Sequence, residues 1–200
     1  MTKTLGIRLE FLAFFLVVLV AGVSGASPKN GTELKVIFTL HPEKVEQKMQ
    51  YIFHKPLSGE PLEYAVSGDV TDAAVFINGE SAKFNVSTGE SSVFHISPDE
   101  PVYNLTLFFS STKMIYKNND VRHFFTEMHL DNATISQASA QAFLPAGYGL
   151  PDDSFNPDEG IISSNGQNIV VTWDSLDLSK EIFFRSNSLI SLSSRLHGIM

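Results

Sequence analysis

This sequence predicts an all-β fold, an antiparallel β-sandwich of about ten strands preceded by an N-terminal signal or anchor helix. Three observations predict it. Apolar residues recur at every second position from Leu34 onward. Turn-forming residues interrupt those runs roughly every 8–12 residues. Two Asn-Gly pairs, Asn78-Gly79 and Asn165-Gly166, stand between apolar segments, where a tight hairpin turn needs positive φ angles.

The first element precedes the strands. Lys3 and Arg8 give a positive start, and Phe11 to Val23 carries no charge. Ser24 and Ala26 then sit where a signal peptidase requires small residues. Such a run makes a helix of about 20 Å, short of the ~30 Å hydrocarbon core. A helix buried in a soluble core would show a polar face, and this one has none. Residues 1–26 therefore read as a signal peptide or an uncleaved anchor. Either places the domain of residues 27–186 outside the cytoplasm, secreted or tethered through residues 9–23.

The strands follow in order. Leu34, Val36, Phe38 and Leu40 alternate with Lys35, Ile37, Thr39 and His41. Pro42 to Gln47 suits one helical turn. Met49, Tyr51 and Phe53 resume the alternation, as do Leu62, Tyr64 and Val66. Val75 to Ile77 is expected to pair, through Asn78-Gly79, with a strand carrying Ala82, Phe84 and Val86. Val93 to Ile96 is short. Tyr103, Leu105, Leu107 and Phe109 are expected on one face, with Asn104 and Thr106 on the other. Val121 to Leu130 and Ser136 to Leu144 come next, the latter turning Ala138, Ala140 and Ala142 inward. Ile161-Ile162 pairs with Ile169, Val171 and Trp173, and Ile182 and Phe184 close the series. Residues 187–200, with Leu189, Leu192 and Leu196, suit either a short amphipathic helix or a last strand.

Composition narrows the chemistry. Hydrophobic residues make up 43% and charged residues 18%, a balance that permits a packed core. Cysteine is absent, which removes disulfides, thiolate metal sites and a Cys nucleophile together. The chain carries a net −8. Without Lys3, Arg8 and Glu10 of the leader, 12 basic residues face 21 acidic ones, a net −9. That surface repels nucleic acid and anionic headgroups, so no nucleic-acid partner is expected, and membrane contact only through the N-terminal segment.

Phe143-Leu144-Pro145-x-Gly147-Tyr148 precedes an acidic loop, then come Ile161-Ile162, the Asn165-Gly166 turn and Ile169-x-Val171-x-Trp173. This pattern resembles exported β-sandwich ectodomains of unknown function in archaeal surface proteins. Some of these precede a membrane helix and a cytoplasmic winged-helix regulator. The resemblance spans Leu34 to Phe184 in outline and implies a sandwich that binds or senses a partner. It departs from the membrane-bound members after Phe184, where no run of about 18 apolar residues follows.

Four sequons, at Asn30, Asn85, Asn104 and Asn132, are candidate glycosylation sites, and strand alternation turns Asn85 and Asn104 away from the apolar faces. Asp152, Asp153, Asp158 and Glu159, with Asn156, crowd one loop. Calcium takes oxygen ligands from such loops, although the spacing is not that of an EF-hand and Pro157 suits a solvated turn. The histidines read as edge and surface residues, since His123 and His129 lie roughly 20 Å apart on an extended strand. The Gly-x-Ser-x-Gly-like stretch around Ser24 belongs to the leader. There is no phosphate loop or dinucleotide fingerprint, and Trp173 reads as core.

The sequence reading is thus an exported, non-enzymatic surface domain that binds an unknown protein or glycan and needs no cofactor. Two alternatives stay open: an extracytoplasmic hydrolase using loop carboxylates, and a truncated ectodomain of a membrane-bound transcriptional sensor.

Overall fold

The computed structural model describes residues 31–89, 91–118, 121–126, 135–145, 147–150, 155–176 and 182–188. The leader, Asn30, Asn132, Asp152, Asp153 and residues 189–200 lie outside the described residues. Among the latter are sixteen strands. In chain order they begin β1 (Thr32–Leu40), β2 (Val45–Leu57), β3 (Leu62–Ser67), β4 (Thr71–Ile77), β5 (Glu80–Ser81), β6 (Phe84–Thr88), β7 (Ser91–Ile96) and β8 (Val102–Ser111). They continue with β9 (Ile115–Asn118), β10 (Val121–Thr126), β11 (Ile135–Leu144) and β12 (Tyr148–Gly149). The last four are β13 (Phe155–Asn156), β14 (Ile161–Ser164), β15 (Ile169–Trp173) and β16 (Ile182–Ser188).

The all-β class is what the structure shows, with more and shorter strands than the alternation suggested. An eight-stranded sheet runs β14-β15-β11-β1-β2-β8-β4-β5, and two smaller sheets, β12-β16-β10-β9 and β3-β7-β6, accompany it. Among the described residues strand pairing is antiparallel apart from β1 with β11, which run parallel. A parallel pair needs a long crossover, and the chain between β1 and β11 supplies one by building most of the other strands first.

The core follows from register. Trp173, Ala140, Val36, Met49, Leu107 and Val75 stand opposite one another across six strands of the large sheet. All six are at most 2% exposed. Alanine next to Trp173 is a matter of volume, because a larger side chain there would meet the indole. The small sheet packs over β2 and β8, with Tyr64 6.3 Å from Tyr51 and Phe94 5.5 Å from Phe109 between ring centroids. The other sheet covers β1, where Phe38 meets Phe124 at 5.2 Å. Two polar groups inside this core find soft partners: Tyr64 Oη donates to Met49 Sδ at 2.7 Å, and Gln47 Nε2 donates to Met114 Sδ at 2.7 Å.

Three local expectations are corrected. Pro42 to Gln47 forms no helical turn: His41 N donates to Lys44 O at 2.9 Å, and β2 already starts at Val45. Val45 and Gln47 alternate into the core, so they are better served by a strand. Asn78 and Gly79 do turn the chain with φ of 51° and 89°, but the returning strand is only Glu80–Ser81. Phe84 and Val86 belong to the small sheet, paired with β7. Tyr103 is 56% exposed and not on the face of Leu105. The register of β8 with β2 shifts here, from Ile52 opposite Asn104 to Leu57 opposite Val102, which breaks the alternation. At the same point Asn78 Oδ1 accepts from the backbone amides of both Tyr103 (2.9 Å) and Asn104 (3.1 Å).

Candidate functional site

The sequence-predicted site residues are placed as follows. Asn85 is exposed on the outward face of β6. Asn104 is half-buried on the outer face of β8, a strand inside the large sheet, and its Oδ1 accepts from Thr106 Oγ1 at 3.3 Å. Asp158 and Glu159 are exposed beside Pro157, whose carbonyl accepts from Trp173 Nε1 at 2.8 Å. That bond ties the acidic loop to the core. No group of three or more His, Asp or Glu positioned to hold a metal occurs among the described residues. His41, His54 and His95 each face a glutamate at the surface, at 3.3, 3.6 and 3.0 Å.

An open depression of about 350 Å³ lies at one end of β2, β8 and β4, lined by Lys44, Glu46, Gln47, Asp72, Phe108, Phe109 and Ser110. Its polar side is an ion-pair chain. Lys44 Nζ lies 2.8 Å from Glu46 Oε1, and His41 Nε2 lies 3.3 Å from Glu46 Oε2. The hydrogen bond from Lys44 holds the Glu46 carboxyl below its ordinary value against the opposing effect of partial burial, and His41 adds to it. The same bond raises Lys44, with Asp72 a lesser contributor. Its apolar side is Phe108, packed edge-on against Phe76 at 5.7 Å with Lys48 Nζ 5.3 Å from the ring centroid.

Asp72 enters this depression because β4 is bulged. The register with β8 shifts between Thr71 and Ala74, and Asp72 takes a φ of 52°, in the left-handed region that L residues avoid. A bulge re-aims a side chain, and a strained residue at a cleft is where strain tends to serve binding. No motif marked Asp72. Its one sequence signal is the break in alternation between Val70 and Val75.

A second constellation sits on the outward face of the small sheet. His95 Nδ1 is 3.0 Å from Glu63 Oε1, and His95 Nε2 is 3.0 Å from Ser87 Oγ. These residues come from β3, β7 and β6, and sequence reading missed them because only the register brings them together.

No family model and no curated protein matches the sequence. Among solved structures, the chain is similar to an M1 zinc metallopeptidase from Deinococcus radiodurans, at 11% identity and a TM-score of 0.48 over 80% of this chain and 42% of that one. It is also similar to a non-cellulosomal cohesin from the hyperthermophilic archaeon Archaeoglobus fulgidus, at 8% identity and a TM-score of 0.34 over 57% of this chain and 89% of that one. The chain thus spans less than half the length of the metallopeptidase. Likenesses this distant transfer no residue role to this chain.

Proposed function

We propose that this chain is an exported surface β-sandwich that binds a polar partner, a glycan or a glycan-bearing protein, in the depression around Phe108. The observation that carries this reading is the pairing there of an aromatic ring with carboxylates and an ammonium group. A sugar ring has an apolar face that packs on an aromatic side chain and hydroxyls that donate to carboxylates. The volume of about 350 Å³ fits one or two sugar rings and lies at the small end of ligand sites. The outward placement of Asn85 and the leader sequence support a location outside the cytoplasm.

Two measurements test it. Saturation-transfer NMR with a panel of mono- and oligosaccharides should give signals that Phe108→Ala weakens by about tenfold, the worth of one aromatic contact. Asp72→Ala should weaken them as well. Signals indifferent to both substitutions, or absent across the panel, would sink the assignment. Export is tested by intact mass spectrometry of the protein from its own host, fraction by fraction. The expected product lacks residues 1–26 or resides in the membrane fraction, with added mass at Asn85. A full-length, unmodified cytosolic product overturns that half of the reading.

No helix among the described residues is long and apolar enough to cross a membrane. Tethering in this proposal rests on the uncharged run within residues 9–23.

A further inference from the structure

We propose that Ser87, His95 and Glu63 form an acyl-accepting relay, with Ser87 the nucleophile, His95 its general base and Glu63 a positioning residue. The substrate class is small, activated carboxylic esters. This site is separate from the depression around Phe108 and shares no residue with it.

The strand register builds the relay. Tyr64, Phe94 and Ile96 turn into the core, so Glu63 and His95 between them turn outward. Glu63 stands directly opposite His95 on one side, and Asn85 stands opposite it on the other. Ser87, two residues beyond Asn85, is the diagonal neighbour, close enough for its hydroxyl to reach the ring.

Polarity distinguishes this arrangement from an ordinary cross-strand ion pair. An ionised carboxylate only accepts, so its contact with Nδ1 places the ring proton on that nitrogen. Nε2 is then left with a lone pair, and it lies 3.0 Å from Ser87 Oγ, whose hydroxyl has one hydrogen to give. A carboxylate fixing the tautomer of a histidine that accepts from a serine hydroxyl is the connectivity that nucleophilic catalysis needs.

The surroundings define the substrate. Ala65, Val93 and Ser87 form the adjacent cross-strand row, an apolar strip leading to the hydroxyl. The face is open, so it offers a short acyl chain a place to lie without enclosing it. Such a site suits an ester whose leaving group departs readily.

The step balances without a co-reactant. Ser87 Oγ bonds to the carbonyl carbon as its proton passes to His95 Nε2. The carbonyl electron pair moves onto oxygen and returns as the bond to the leaving group breaks, and that group leaves with the proton from Nε2. Water repeats the sequence on acyl-Ser87, releasing the acid and restoring the hydroxyl.

The test incubates the full chain with 4-nitrophenyl acetate and locates the acetyl group by peptide mass mapping. One acetyl on Ser87 is expected, absent from Ser87→Ala and formed about 100-fold more slowly in His95→Ala. Glu63→Gln should slow it by at least about tenfold by admitting the wrong tautomer. Glu63, Ser87 and His95 are all exposed, so unfolding midpoints should stay unchanged. ¹⁵N shifts of the His95 ring should place the proton on Nδ1 in the native chain and show mixed tautomers in Glu63→Gln, a change that a merely structural Glu63 would not produce. Acetyl found only on lysine or histidine, no acetylation at all, or acetylation of Ser87 at equal rates in native and His95→Ala protein would each overturn the proposal.

Discussion

Truncating Trp173 to alanine is expected to cost about 3–5 kcal/mol of folding stability, the range for removing a large aromatic from a packed core. Trp173 is 2% exposed and closes the β15 end of the core. Phe155 packs on it at 6.0 Å, nearly perpendicular, and its Nε1 donates to Pro157 O at 2.8 Å. Ala140 stands beside it, and a Cβ added at Gly160 would come within 2.8 Å of Nε1. The neighbours are therefore small by necessity and cannot swell to fill the void. Domains are stable by only about 5–15 kcal/mol, so this one change should bring the chain close to unfolding. Trp173→Phe keeps a ring but orphans the Pro157 carbonyl and should cost less, about 1–3 kcal/mol. Chemical denaturation gives both values. A loss under about 1 kcal/mol for Trp173→Ala would mean that the β15 end of the core does not bear on global stability.

Trp173 also marks how far the sequence could be read. Its burial, the inward alanines of β11 and the alternation of β1, β2 and β3 were all legible, because side-chain period two is a local property. Pairing is not local. The parallel contact of β1 with β11 joins segments about a hundred residues apart, and nothing in either strand names its partner. Asn78-Gly79 announced a turn correctly, yet Phe84 and Val86 crossed to another sheet after Ser81, since turn chemistry specifies a reversal and not its length. Tyr103 was misplaced because the register of β8 with β2 shifts between Asn104 and Val102, where Asn78, a residue of another strand's turn, also holds two amides of β8.

The candidate sites divide along the same line. Asn85 was visible because a sequon is contiguous in sequence. Glu63, Ser87 and His95 are individually ordinary, and only the order β3-β7-β6 makes them neighbours. The depression around Phe108 likewise depends on a bulge in β4, whose effect on Asp72 is a matter of backbone geometry.

Asp69 should make folding sensitive to acid, because it holds the corner beside that bulge. Its Oδ1 accepts from Ser111 Oγ (3.0 Å), Thr112 N (3.0 Å) and Lys113 N (2.9 Å), and its Oδ2 from Thr112 Oγ1 at 2.7 Å. Gly68 beside it has a φ of 107°, and a Cβ there would lie 2.9 Å from the Lys113 side chain, so the two loops approach too closely for any other residue. Burial alone would raise the Asp69 carboxyl, but the Thr112 hydroxyl, the Lys113 amide and the remaining donors outweigh it and hold the group at about 2. The folded state thus binds its proton more weakly than the unfolded chain does. The stabilisation is fully present above the ordinary value of 3.8 and is lost as pH falls towards about 2. Asp69→Ala is expected to cost about 2–4 kcal/mol at neutral pH, where four charge-assisted bonds disappear. Asp69→Asn should cost less, since its oxygen still accepts from the amides and the Thr112 hydroxyl can turn to accept from the new NH₂. Both variants should lose the part of the acid-unfolding curve that lies between those two pH values. Urea midpoints measured from neutral pH downward decide the matter: native and Asp69→Asn curves that run parallel throughout would show that the corner is held by packing around Gly68 and not by this carboxylate.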